Sequence, residues 1–524
     1  MCTSFPLYVK SPERTFILNV HPEHITPAAA FNFLAWRAGG RKTSILVFVI
    51  IQSFVFLVYV IIDGHIILVF VEALMKRKIY DKLLSWKNTD SNRTALLIDG
   101  ARRVGKSYIA EEFAKKEYRS YILIDFYRAP REVKDLFDNY LNDLDTLFLY
   151  LSAIYDTRLS EKESLIIFDE VQFYPRARAA IKYLVADGRY SYIETGSLMS
   201  IRENVNDIMI PSEERHLTLP PMDFEEFLWA MGNDTLMDFI RMRFTEKQPM
   251  GQVMHRKAMD YFRQYLIVGG MPQAVQEFAA TRNFDNVDQI KRDILALYRA
   301  DISKHAKGYE RKAESIFDEL PGQLQKHEKK FTLASLGRSA RLREYESAFL
   351  WLEDAMITNT CWNSTQPTIG LKLNRDHATM KLYMADTGLL ISHSFDENGL
   401  VSNEIYKKLL LGKLEVNEGM LFENIVAQML TASGHKLYFY SNPSRNDKEQ
   451  RMEIDFLIAK SKITNRHNIS PIEVKSGKRY TLSSINKFRK QFHEQVDVGY
   501  VLHTGDYRSE DGIEYLPVYM TPLL

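Results

Sequence analysis

The sequence predicts an α/β protein. A parallel sheet wrapped by helices comes first, then a helical and winged-helix region, then a second, smaller α/β domain at the C-terminus. Three stretches predict the parallel core. The apolar run Ala95-Leu96-Leu97-Ile98 leads into Gly100-Ala101-Arg102-Arg103-Val104-Gly105-Lys106-Ser107 and then a helical pattern over 108–114. Ser164-Leu165-Ile166-Ile167-Phe168-Asp169-Glu170 is an unbroken apolar run closed by two carboxylates. A third run, 190–193, ends in Glu194-Thr195-Gly196-Ser197. Unbroken rather than alternating runs suit strands buried on both faces. The carboxyl ends of such strands are where open α/β sheets bind ligands.

Gly100 to Ser107 fit G-x-x-x-x-G-K-[ST], and strand, turn and helix in that order make a P-loop. Gly100 and Gly105 let the backbone curl, so that N–H groups of Ala101, Arg102, Arg103 and Val104 turn towards phosphate oxygens. The helix after Gly105 aims its positive end at the same anion. Lys106 reaches the β- and γ-phosphates of ATP, and the Ser107 hydroxyl is placed to ligate Mg²⁺. Asp169 suits the Walker B position that holds Mg²⁺. Glu170 is then the base that polarises an attacking water.

A chain of 524 residues holds roughly two to four domains, with material for proper cores. The net charge of +1 announces neither nucleic acid nor membrane. Cys2 and Cys361 are the only cysteines, which excludes a disulfide framework and fits a reducing cytoplasm. The 13 histidines show no metal-ligand spacing. Residues 45–62 are apolar apart from Gln52 and Ser53 and would rise ~27 Å as a helix, close to a membrane's hydrocarbon thickness. Arg37, Arg41 and Lys42 precede this stretch and Lys76, Arg77, Lys78 and Lys82 follow it, which gives only a modest vote for a cytoplasmic C-terminal side. Two readings of residues 1–74 stand: a membrane anchor at 45–62, or an upstream extension with Met75 as the working start.

The nucleotide-binding unit is expected over 75–232 and a helical and winged-helix region over 233–410. Val268-Gly269-Gly270-Met271-Pro272 reads as a turn between helices. A short helix, a turn and a longer helix over 324–356 suggest a winged-helix or helix-turn-helix unit. Arg338, Arg341 and Arg343 lie where its second helix would begin, the end that contacts DNA in such folds. The alternative is a solvated basic turn.

Residues 411–524 carry a second constellation. A helix over 417–431 bears Glu423, a strand over 452–459 bears Asp455, and Pro471-Ile472-Glu473-Val474-Lys475-Ser476 forms another strand. With a strand period of two, Glu473 and Lys475 share one face. Asp455 and Glu473 around Mg²⁺, with Lys475 to polarise water and Glu423 as the helix-borne acid, are hardware for phosphodiester hydrolysis. Two readings stay open here as well: a domain that cuts, and one that only binds.

A Glu-bearing helix, an acid on one strand and E-x-K on the next resemble the PD-(D/E)XK restriction-endonuclease-like fold. Over 75–520 the chain resembles the prokaryotic AAA-type ATPases that carry a trailing domain of unknown function with an endonuclease-like end. The resemblance rests on Gly100 to Ser107, residues 166–172, Thr195-Gly196-Ser197, Ile210-Pro211-Ser212-Glu213-Glu214-Arg215, residues 221–227, Gly269-Gly270-Met271-Pro272, KLYMADTGLL over 381–390, and Glu473-Val474-Lys475. It implies a P-loop ATPase core, a winged-helix linker and a nuclease-like end. It further implies a polar γ-phosphate sensor at Thr195 or Ser197 and an arginine finger at Arg215. Ala101 departs from the proline of many members; the anion contacts there are backbone ones, so the change should matter little.

The function expected is a Mg²⁺-dependent ATPase of the AAA type that couples ATP turnover to binding or processing of nucleic acid. The alternative is a nucleotide-dependent switch or scaffold with an inactive nuclease-like end. DNA, a second copy of the chain and, for a translated and inserted 45–62, a membrane are the partners implied.

Overall fold

The computed structural model describes residues 75–196, 212–326, 330–337, 340–368, 370–395, 406, 418–443, 450–459, 468–477 and 479–524, together with the backbone of six N-terminal strands. Met1–Met75 with Gln276–Arg282 form one compact unit; Lys76–Val275 with Asn283–Leu524 form the other.

In the first unit β1 (Phe5–Lys10) and β2 (Thr15–Val20) make an antiparallel pair. Strands β3 (Asn32–Ala38), β4 (Arg41–Gln52), β5 (Val55–Ile62) and β6 (His65–Glu72) make a four-stranded antiparallel meander. The helix expected over 45–62 is therefore replaced by a hairpin, with Gln52 paired to Val55 and Ile45 to Ile62. Composition explains the difference. The stretch is dominated by valine and isoleucine, whose branched Cβ is stiff in a helix and packs well on a pleated surface. Among the described residues no helix is long and apolar enough to cross a membrane.

The second unit begins with the predicted parallel core. Strands β7 (Ala95–Asp99), β8 (Ser120–Asp125), β9 (Ser164–Asp169), β10 (Ser191–Gly196) and β11 (Glu214–Thr218) lie in the order β11-β7-β10-β9-β8, every neighbour parallel. The three unbroken apolar runs became the three central strands, and each of their residues is buried. The edges β8 and β11 are only partly covered. Helix Lys106–Glu117 buries Ile109, Ala110, Phe113 and Ala114. Helices Arg131–Asn139, Leu144–Ile154 and Pro175–Asp187 enclose a core in which the Phe126, Phe137 and Phe168 rings meet edge to face, with centroids 5.5 to 5.7 Å apart. Truncating one such ring to alanine costs about 3–5 kcal/mol.

A capping box at Asp223 and Glu226 opens helix Phe224–Ala230. Helices Leu236–Glu246, Gln252–Val268, Pro272–Thr281, Phe284–His305 and Glu310–Gln325 follow. A 3₁₀ turn at Leu333–Ser335, helix Leu342–Asp354 and the antiparallel pair β12 (Thr358–Ser364) and β13 (Arg375–Met384) come next. The remaining strands are β14 (Tyr438–Asn442), β15 (Met452–Ala459), β16 (Ile469–Lys475), β17 (Gly499–His503), β18 (Arg508–Glu510) and β19 (Ile513–Pro517). They join β12 and β13 in one mixed sheet, ordered β13-β12-β14-β15-β16-β17-β19-β18. This sheet runs across the boundary expected at residue 410, because β12 pairs in parallel with β14.

Candidate nucleotide-binding site and C-terminal carboxylate cluster

The P-loop leaves β7 at its carboxyl end and closes at Gly105, whose φ of +92° is the left-handed backbone that glycine tolerates best. Arg103 takes a positive φ as well. A Cβ on Gly100 would stand 2.5 Å from the Leu219 carbonyl oxygen, so the loop passes the chain after β11 with no room for a side chain. Buried Lys106 curls back over the loop and donates from Nζ to the carbonyls of Gly100 and Ala101, each at 3.0 Å. Burial lowers its pKa, against the opposing pull of the Glu170, Asp169 and Asp99 carboxylates. A phosphate oxygen would take the ammonium from those two carbonyls. Ser107, the first residue after Lys106 in the helix, is half-buried.

Because the strands are parallel, the ends of β9 and β10 come to the same side as the P-loop. Asp169 is the last residue of β9 and accepts a hydrogen bond from the Thr195 hydroxyl on β10. Glu170 follows at φ +52°, a sparsely populated conformation for a non-glycine residue. Its N–H donates to Thr195 Oγ1 at 3.2 Å, and its carboxylate accepts from the Gln172 amide. Lys106, Asp169, Glu170 and Thr195 are thus brought together. Ser197 lies outside the described residues. Arg215 is not brought to the loop: it sits in the first half of β11, level with Leu96, and pairs with Asp90 at 2.7 Å. Within one chain Arg215 therefore lies towards the amino ends of the strands, away from the P-loop at their carboxyl ends.

Several supports were not singled out from the sequence. Buried Arg77 donates to the Val104 carbonyl at 2.9 Å and to the Pro220 carbonyl at 2.7 Å, and pairs with Glu226 at 3.1 Å. It braces the loop from behind. Arg102 pairs with Asp301 at 2.5 Å, and the Tyr298 hydroxyl donates to the Arg102 carbonyl at 3.3 Å. The signal available was a basic run, Lys76-Arg77-Lys78, facing an acidic one, Asp223 to Glu226. Nothing in a linear pattern tells a bracing arginine from a solvated one.

In the helical region Arg341 and Arg343 are exposed at the start of helix Leu342–Asp354, and Arg338 lies outside the described residues. Glu423 of helix Glu418–Ala432 and Asp455, Glu473 and Lys475 of the C-terminal sheet do converge, but two unpredicted residues join them. Lys381 of β13, its side chain only 1% exposed, places Nζ 2.9 Å from Glu453 Oε1, 3.6 Å from Asp455 Oδ1 and 3.9 Å from Glu423 Oε2. Burial works against its charge, yet the Glu453, Glu423 and Asp455 carboxylates outweigh burial and raise its pKa. Asp455 Oδ2 accepts the Val474 N–H at 2.9 Å, and Lys475 pairs with Glu473 Oε2 at 2.6 Å. Burial pushes the Glu473 carboxyl up in pKa while Lys475 holds it down. Among the described residues no group of three histidine, cysteine, aspartate or glutamate side chains is placed to hold a metal ion.

Three family models match parts of the chain, each less than half of it. Residues 92–228 match an AAA domain. Residues 259–398 match a domain of unknown function (DUF8612), and residues 418–521 another (DUF4143). With the parallel sheet and the G-x-x-x-x-G-K-S turn, the first match makes residues 92–228 an AAA-type P-loop domain. No curated protein matches the chain. Among solved structures the chain is similar to C. elegans PCH-2, at 13% identity and a TM-score of 0.22, over 38% of this chain and 57% of that one. It is also similar to Cdc6p from Pyrobaculum aerophilum, at 12% identity and a TM-score of 0.22, over 66% of this chain and 97% of that one. Drosophila ORC bound to DNA matches at 13% identity and a TM-score of 0.24, over 64% and 94%. The chain thus spans little more than half the length of PCH-2, and TM-scores this low carry no functional reading.

Proposed function

We propose that the chain is an ATP-binding, Mg²⁺-dependent ATPase of the AAA type whose turnover is coupled to nucleic acid. The observation that supports it most is the convergence of Lys106, Asp169, Glu170 and Thr195 at the carboxyl ends of three parallel strands. The amides of residues 100–105 and the helix N-terminus would cradle the phosphates, and Lys106 would neutralise the β- and γ-oxygens. Ser107 and Asp169 would hold Mg²⁺, which when bound offsets charge on the transferring phosphoryl group. Glu170, fixed between Thr195 and Gln172, orients and polarises the attacking water. Thr195 donates to the Asp169 carboxylate and accepts the Glu170 N–H, and its hydroxyl would serve as the γ-phosphate sensor. Glu170→Gln should keep ATP binding while losing hydrolysis by about 10²–10⁴-fold; undiminished turnover in that variant would remove Glu170 from the mechanism.

The nucleic-acid half of the reading rests on helix Leu342–Asp354, which follows a short helical turn, precedes the β12–β13 hairpin and opens with exposed Arg341 and Arg343. That order of elements is the one a winged helix would have, with β12 and β13 also part of the C-terminal sheet. ATPase rate and DNA affinity measured with single- and double-stranded DNA across salt test it. Removing both arginines should reduce the salt slope by about 2 and weaken binding uniformly across sequences.

A further inference from the structure

Lys381 is the lysine of KLYMADTGLL, a motif that the nucleotide chemistry leaves unused. It reaches into a carboxylate cluster of the kind that, in a metal-dependent nuclease, would surround a divalent cation. We propose that the Lys381 ammonium permanently takes the cation's place between Glu423, Glu453 and Asp455, so that the C-terminal domain binds no divalent metal there and does not cut phosphodiesters.

Three observations carry this. The ammonium is enclosed rather than reaching in from solvent, and it lies within 4 Å of three carboxylates borne on helix Glu418–Ala432 and strand β15. The oxygens of Asp455 and Glu453 are already engaged, whereas Glu473 Oε1 is buried with no hydrogen-bond partner among the described residues. Asp455 faces Lys381 with Oδ1 and the Val474 N–H with Oδ2; Glu453 faces Lys381 with Oε1 and Lys330 with Oε2; Glu473 Oε2 is paired with Lys475. The position is also built for a cation of this shape. The Phe439 ring lies 5.0 Å from Nζ, and Tyr383, two residues along β13, donates to Glu423 Oε2 at 3.2 Å. A dication brought into this space would meet a buried like charge. The E-x-K signature therefore persists in a domain whose metal chemistry is closed from within.

The test counts bound Mn²⁺ on the nucleotide-free full chain by electron paramagnetic resonance, comparing wild type, Asp455→Asn, Lys381→Met and the double variant. Wild type and Asp455→Asn should bind the same number of ions. Lys381→Met should gain one Mn²⁺ per chain, and Asp455→Asn should abolish that gain. A wild-type Mn²⁺ site lost on Asp455→Asn overturns the proposal, as does a folded Lys381→Met that gains nothing. Should Lys381→Met fail to fold, the wild-type comparison still decides. A parallel arm incubates wild type and Lys475→Ala with Mn²⁺ and plasmid. Equal absence of nicking is expected, and nicking by wild type alone overturns it. No ATP is present, so the outcome is separate from that of the ATPase reading.

Discussion

Lys106 shows what the P-loop costs the protein when no phosphate is bound. Its ammonium is buried, satisfied by two carbonyls, and depressed in pKa by desolvation. The charged form is therefore disfavoured in the fold below the lysine's ordinary pKa. Replacing it with methionine should leave the nucleotide-free protein melting no lower than wild type. The same change should weaken ATP by about 10–100-fold, since charge-assisted hydrogen bonds worth about 1.5–3 kcal/mol are lost. Titration calorimetry beside thermal melts checks both halves, and a variant that binds ATP like wild type contradicts the assigned role. Gly270 is constrained differently. A Cβ there would lie 2.1 Å from the Met222 carbonyl oxygen, and the Gly270 carbonyl already accepts the Met222 N–H at 2.7 Å. Gly270→Ala should cost about 1–3 kcal/mol by overpacking, read as a drop in the denaturation midpoint.

At the scale of single elements the edge strand β11 is the informative one. His216 pairs through Nε2 with Glu214 at 2.7 Å and lies 3.5 Å through Nδ1 from Asp99, the last residue of the P-loop strand. Hydrogen bonding to Asp99 and then to Glu214 lifts the imidazole to about 9, above its ordinary 6.5. A raised histidine stabilises the fold fully below pH 6.5, and that contribution is lost as pH climbs through about 9. Melting temperature should accordingly fall between those values, and His216→Asn should flatten the fall; an unchanged slope in the variant would detach β11 from this role. The central strands were legible because they are buried on both faces and so are apolar without interruption. The site residues at their ends were legible because phosphate chemistry fixes glycines, a lysine and acids at short spacing. The β4–β5 hairpin was misread because a long apolar run looks the same as strand or helix until its branched side chains are weighed. Lys381 and Glu453 were missed for another reason. They meet only through the pairing of strands far apart in sequence, and period-two patterns locate a face without naming what packs against it.

Over the whole of the second unit, the segments that family models divide are stitched by one buried network. Asp386 accepts the Gly270 N–H at 2.5 Å and caps helix Thr387–Ser394 through the Leu389 N–H at 2.9 Å. Gln428 donates to Asp386 at 3.3 Å and to the Tyr265 hydroxyl at 3.1 Å, which in turn donates to the Met222 carbonyl at 2.9 Å. The glycines of Gly269-Gly270 and of KLYMADTGLL are close-approach positions of the same joint: a Cβ on Gly388 would stand 2.3 Å from the Val268 carbonyl oxygen. On the other side, the Arg102–Asp301 pair and the Tyr298 hydrogen bond tie the P-loop itself to helix Phe284–His305. The P-loop and helix Glu418–Ala432 are thus each hydrogen-bonded to the helical segment between them. Asp386→Ala would leave two buried backbone N–H groups without their acceptor, at about 1–3 kcal/mol each. If the unit folds as one, calorimetry of that variant should show a single transition moved to lower temperature. ATP at a hundred times its dissociation constant should add about 2.7 kcal/mol to that whole transition, not to part of it. An early transition that ATP fails to shift, left beside an unmoved P-loop transition, would mean that the joint carries no coupling and that the C-terminal sheet melts by itself.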